Sequence, residues 1–163
     1  MPEPTAERPK APARYPFPTD AASRLPWSRA AQQLREARYY WMVTASPQAV
    51  PHATPVWGVF VDGDLYFSGL PTARWAKNLV ANPKVSVHLE SGDDVVIVDG
   101  DAADVTTTAE LGARIVAEWL RKYGRLEPEP VEDGVFRVRP RTARAWSHEL
   151  LDDGTRWVFH AGG

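Results

Sequence analysis

The stretch Ser68-Gly69-Leu70-Pro71-Thr72-Ala73-Arg74-Trp75-Ala76-Lys77-Asn78-Leu79 gathers the densest set of chemically useful groups in this chain of 163 residues. It reads as a strand end, a loop and a helix start, with Arg74, Lys77 and Asn78 at i, i+3 and i+4 and so on one helix face. Free main-chain amides at a helix start, joined by two cations, make a seat for a phosphate or a carboxylate. A solvated basic helix face would carry the same residues, and the sequence leaves both readings open. The familiar catalytic signatures are missing elsewhere. There is no glycine-rich dinucleotide or phosphate loop, no strand-turn serine elbow and no histidine pair at metal-ligand spacing. His52, His88, His148 and His160 are scattered. With no cysteine, disulfides, a thiolate nucleophile, iron–sulfur clusters and cysteine-ligated zinc are all excluded.

These residues must be positioned by the elements around them. Ser28 reads as the N-cap of a first helix that runs through Ala30, Ala31, Leu34 and Ala37. The period then changes to that of strands: 39–44, a turn at Ser46-Pro47-Gln48, and a long second strand from His52 to Val61. Asp62-Gly63 turns the chain into Leu65-Tyr66-Phe67-Ser68. Thr72 is placed to cap a short helix reaching Ala81, which Asn82-Pro83 ends. Strands 85–89 and 95–98 flank a turn at 91–94. Thr107 with Glu110 has the form of a capping box opening a helix with Leu111, Ile115, Trp119 and Leu120 on one face and Gly124 beyond its end. A linker, Glu127-Pro128-Glu129-Pro130, precedes strands at 135–139, 142–146 and 156–159, the last reached through Asp153-Gly154. Six to eight short strands joined by tight turns, with three helices at the edges, point to a mainly β antiparallel barrel rather than a parallel α/β sheet.

Composition bounds the function. The 19 basic and 21 acidic residues leave a net charge of -2, so no global pull toward nucleic acid or anionic lipid is expected. No run of 18 apolar residues occurs, and the start of the chain lacks a signal-peptide pattern, so the expected setting is soluble and cytoplasmic, with no membrane partner. Six of the 15 prolines fall in the first 18 residues. Residues 1–18 are therefore expected to be a flexible proline-rich tail, ordered only where it touches a single domain spanning 19–163. The seven tryptophans are core fillers, or line a planar ligand or a subunit interface.

The run His52-Ala53-Thr54-Pro55-Val56-Trp57, then Asp62-Gly63, Leu65-Tyr66-Phe67, Arg74 to Leu79, Ala81-Asn82-Pro83, Val87-His88-Leu89-Glu90 and Gly100, resembles the pyridoxamine 5'-phosphate oxidase-like FMN-binding split-barrel superfamily. More narrowly, it is similar to the class B flavin/deazaflavin (coenzyme F-420) oxidoreductases of actinobacteria, over residues 36–147. The resemblance implies a six-stranded antiparallel split β-barrel and a homodimer with two cofactors in clefts at the subunit interface. It places Thr54, Pro55, Val56 and Trp57 beside the ring system, with Phe67 and Ser68 bordering it. Arg74, Lys77 and Asn78 would hold the phosphate, and Trp146 would reach in from the partner subunit. Trp75 stands where relatives often carry lysine and would cover the cofactor or a hydrophobic substrate. The implied activity is hydride transfer between coenzyme F-420, or alternatively FMN, and a small planar organic substrate. His52 is the candidate general acid, with Tyr66 and Thr54 behind it. The alternative is a non-catalytic protein that stores or carries a flavin, deazaflavin or tetrapyrrole in the same cleft.

Overall fold

The computed structural model describes residues 3–12, 14–125, 134–147, 151 and 153–160. Nine strands and three helices follow in the order β1 (Thr5–Glu7), α1 (Trp27–Glu36), β2 (Tyr40–Ala45), β3 (Pro51–Val56), β4 (Gly58–Val61), β5 (Asp64–Ser68), α2 (Arg74–Ala81), β6 (Lys84–His88), β7 (Asp94–Asp104), α3 (Ala109–Tyr123), β8 (Val135–Ser147) and β9 (Thr155–Val158). All pairings are antiparallel, in the order β1-β9-β8-β7-β6-β2-β3. The first half of β8 also pairs with β5, which pairs with β4. Because β3 and β4 find no further strand among the described residues, the barrel stays open along that side. The expected split barrel is present, built from nine strands rather than six.

The extra strands have local causes. The single strand expected over 52–61 breaks at Trp57, whose indole stacks on Tyr123 of α3 at 4.8 Å with 11° between the planes. The next amide, Gly58 N, donates to the Tyr123 hydroxyl at 3.0 Å. The main chain is thus anchored to α3, so that β3 continues with β2 while β4 turns to β5. Between β4 and β5, Asp62 and Gly63 both have positive φ, 53° and 87°, the combination a tight hairpin turn requires. Conversely, the two strands expected at 135–139 and 142–146 are one. Pro140 sits at a register shift between Asp99 and Gly100, where the bulge removes the demand for its missing amide. Gly100 permits this close passage, since a Cβ there would lie 2.4 Å from the Arg139 carbonyl oxygen.

Helix starts also shift by a residue or two. Pro26 rather than Ser28 is the N-cap of α1, and Ala73 rather than Thr72 that of α2, neither with a side-chain cap. Thr108, not Thr107, caps α3 by accepting from Leu111 N at 3.2 Å, which leaves Glu110 out of any reciprocal box. The proline-rich segment expected as a tail supplies the edge strand β1. Glu7 there pairs with Arg156 at 2.7 Å, and Arg24 donates to the Ala6 carbonyl. The Glu127–Pro130 linker lies outside the described residues.

One large core fills the barrel with Leu34, Tyr40, Met42, Leu65, Phe67, Val87, Val98, Val138 and Trp157. A second, under α3, joins Val59, Tyr66, Ile115, Trp119 and Val135. Alternation along β2 turns Tyr40, Met42 and Thr44 into the barrel and leaves Trp41, Val43 and Ala45 on the outer face. No helix among the described residues is long and apolar enough to cross a membrane.

Candidate functional site

The edge strand β3 and the helix α2 carry most of the candidate residues. Side chains opposite one another on paired strands share a face. His52 lies opposite Thr44 and Thr54 opposite Met42, so both project on the inner side of β3. Each is half-exposed, because no strand covers that margin. Pro51 and Pro55 remove two amide hydrogens from the same edge, a feature that discourages uncontrolled strand addition.

Helix α2 packs over the inner face by burying Trp75, Ala76, Asn78 and Leu79. At 100° per residue this stripe leaves Arg74 and Lys77 together on the solvent side. Both are exposed, and among the described residues neither side chain makes a hydrogen bond or ion pair. Ala73 gives the start of α2 no side-chain cap, so two cations flank the first-turn amides. Asn78 does not share that face, contrary to the spacing argument. Its Nδ2 donates to Thr44 Oγ1 at 3.0 Å in a buried contact, which fixes α2 on β2 beside His52. A three-residue spacing cannot tell where a helix meets its sheet, and here the boundary falls between Lys77 and Asn78.

The remaining expected residues scatter. Phe67 is fully buried, edge-on to the Tyr40 ring at 5.6 Å, so only its main chain is available to a ligand. Val56 belongs to the same core. Trp75 packs against Phe136 with ring centroids 5.2 Å apart and covers Gly69, so its indole belongs to the barrel wall and not to an open surface. Tyr66 is buried in the second core, and desolvation raises its phenol above the usual value. Ser68 is buried at the end of β5, leading into the α2 loop. Pro55 is exposed on the outer side of β3, and Thr54 Oγ1 has only a long contact to the Pro55 carbonyl. Trp57 is occupied by α3. Trp146 lies opposite Val95 on the outer face and contacts Phe17 at 6.3 Å, away from His52 in the same chain.

A polar anchor that the sequence does not reveal holds this layout. Lys122 Nζ donates to the Tyr40 hydroxyl at 2.7 Å and to the Gly58 carbonyl at 3.0 Å. It lies 4.6 Å from the centre of the Tyr40 ring. Burial lowers the Lys122 ammonium to about 8 and raises the Tyr123 phenol to about 12. In the sequence, Arg121-Lys122 reads only as the basic end of a helix. Behind it, Glu118 accepts from Arg35 and Arg121. Burial alone would raise its carboxyl, but the hydrogen bonds from Arg121 and Arg35 prevail and hold it at about 2.

An open split barrel, with an uncapped cationic helix start beside a half-exposed edge strand, defines the class of protein. A family profile described as pyridoxamine 5'-phosphate oxidase matches residues 27–147, and the chain belongs to that family. No curated protein matches the sequence. Among solved structures, a conserved hypothetical protein from Mycobacterium tuberculosis is 26% identical with a TM-score of 0.65, over 86% of this chain and 92% of that one. An F-420 reductase is 21% identical, TM-score 0.53, over 69% and 94%. The heme-storage protein of Vibrio cholerae is 21% identical, TM-score 0.57, over 70% and 87%. The last two likenesses establish the fold.

Proposed function

We propose that the chain is a cytoplasmic homodimeric oxidoreductase that holds coenzyme F-420, or FMN in its place, along β3 and the start of α2, and reduces a small planar organic substrate. The observation that carries this reading is the pair of cations, Arg74 and Lys77, whose side chains have no partner among the described residues, at an uncapped helix start next to the half-open face of β3. These side chains and the α2 amides would take the cofactor phosphate. Asn78 and Thr44 would position that helix without touching the ligand. His52 and Thr54 would border the ring, and His52 is the group able to move a proton there. The cofactor itself supplies the hydride chemistry, so the chain needs only to orient it and exclude water. The exposed β3 margin favours a second copy as the group that completes the cleft. The F-420 reductase among the structural relatives supports the cofactor class. The heme-storage relative supports the competing reading, a non-catalytic carrier of a tetrapyrrole.

Titration of coenzyme F-420 and of FMN into the wild type, Arg74→Ala and Lys77→Ala tests the assignment. Each substitution is expected to weaken binding about ten- to a hundredfold, the loss of one charge-assisted contact. Unchanged affinity in both variants refutes it. Turnover of reduced coenzyme F-420 with enones, quinones and biliverdin separates the enzyme from the carrier.

A further inference from the structure

Three partly buried rings at the margin of the main core belong to no part of the proposed cofactor site: Trp27, Phe60 and Phe159. Trp27 opens α1, and Phe60 is the half-buried member of β4. Phe159 follows β9, where its amide donates to the Arg141 carbonyl at 3.0 Å. Trp27 stands nearly perpendicular to both phenyl rings, at 73° and 6.4 Å between centroids for Phe60 and at 82° and 5.0 Å for Phe159. Behind it lies the fully buried Trp157, 5.3 Å away, which holds the indole in place. The three rings line a cavity of about 300 Å³, at the lower end of the range for small-molecule sites.

The same cavity is acidic. Glu3 and Asp62 line it, and among the described residues no lysine, arginine or histidine does. Asp62 also pairs with Arg114 at 2.7 Å, so Glu3 carries the excess negative charge. The first turn of α1, which adds Ser28, would favour an anion, but two carboxylates repel one and no cation is there to hold it. A primary ammonium would need acceptors for three N–H groups, whereas much of the wall is aromatic. A quaternary ammonium has no N–H to satisfy and is attracted to ring faces.

We propose that this corner binds a small quaternary ammonium compound, its methylated nitrogen held against Trp27, Phe60 and Phe159 and its charge balanced by Glu3 and Asp62. The site shares no residue with the proposed cofactor site, so it stands whether or not that assignment holds.

Calorimetric titration of the wild type with choline, its uncharged isostere 3,3-dimethylbutan-1-ol and ethanolamine, at constant ionic strength, is decisive without a variant. Choline is expected to bind about three- to tenfold more tightly than the isostere, the gain of a cation against aromatic faces, and more tightly than ethanolamine. Phe159→Leu keeps the apolar bulk and should remove most of the preference for choline over the isostere. Glu3→Gln should weaken choline about two- to threefold and leave the isostere unchanged. Equal binding of choline and the isostere would mean a merely apolar cleft, and tighter binding of ethanolamine a carboxylate site alone. Either result, no binding of choline at millimolar concentration, or a preference for choline that persists in both variants would overturn the proposal.

Discussion

Replacing Glu118 with glutamine probes how α3 is held against α1, and through α3 how Trp57 is held at the break between β3 and β4. The carboxylate is largely buried, and it accepts from Arg35 at 3.0 and 3.3 Å and from Arg121 at 3.0 and 2.9 Å. Its fall from 4.5 to about 2 corresponds, at about 1.4 kcal/mol per pH unit, to an upper bound of ~3 kcal/mol. Both arginines are more than a third exposed, and solvent screening reduces the expected contribution to ~1–2 kcal/mol. The folded state holds the carboxyl deprotonated below the value it has when unfolded. This stability is therefore complete above about pH 5 and is lost as the pH falls through 4.5 toward 2. Urea unfolding of wild type and Glu118→Gln at several values between pH 7 and pH 2.5 reads it directly. The variant should be less stable by ~1–2 kcal/mol at pH 7, and the two curves should converge at the acid end. A difference that stays constant with pH would refute the ion-pair account and leave only packing.

Lys122 should give a pH dependence of the same sign at the alkaline end. Its ammonium titrates at about 8 in the fold against 10.5 when free, so the unfolded chain binds more protons between those values. Stability should rise by ~1–2 kcal/mol from pH 8 to pH 10, and Lys122→Met should remove that rise in chemical denaturation. Asn78→Ala should cost ~1–3 kcal/mol in thermal or urea unfolding, because the Thr44 hydroxyl stays buried without its donor, and pairing it with Thr44→Val should recover part of the loss.

Local signals were enough to predict much of this architecture. The alternation over 40–45, the Asp62-Gly63 turn, the apolar stripe and glycine stop of α3, and the Asn82-Pro83 end of α2 depend on neighbours within a turn or a strand pair, so sequence periodicity reports them. The run of family-like residues also placed the chain correctly in a split-barrel family. What the sequence did not disclose was sidedness. Whether Asn78 joins Arg74 and Lys77 or turns inward is settled by Thr44, 34 residues away. Trp57 faces α3 because Tyr123 stacks on it, and Trp75 becomes barrel wall because Phe136 receives it. The continuity of β8 through Pro140 depends on a bulge opposite Gly100, and the strand at 5–7 exists because β9 offers it an edge. Each of these outcomes is a contact between distant segments, formed only when strands that are individually plain choose their partners. The same folding brings Trp27, Phe60 and Phe159 to one corner, rings drawn from three separate segments that no spacing along the chain connects.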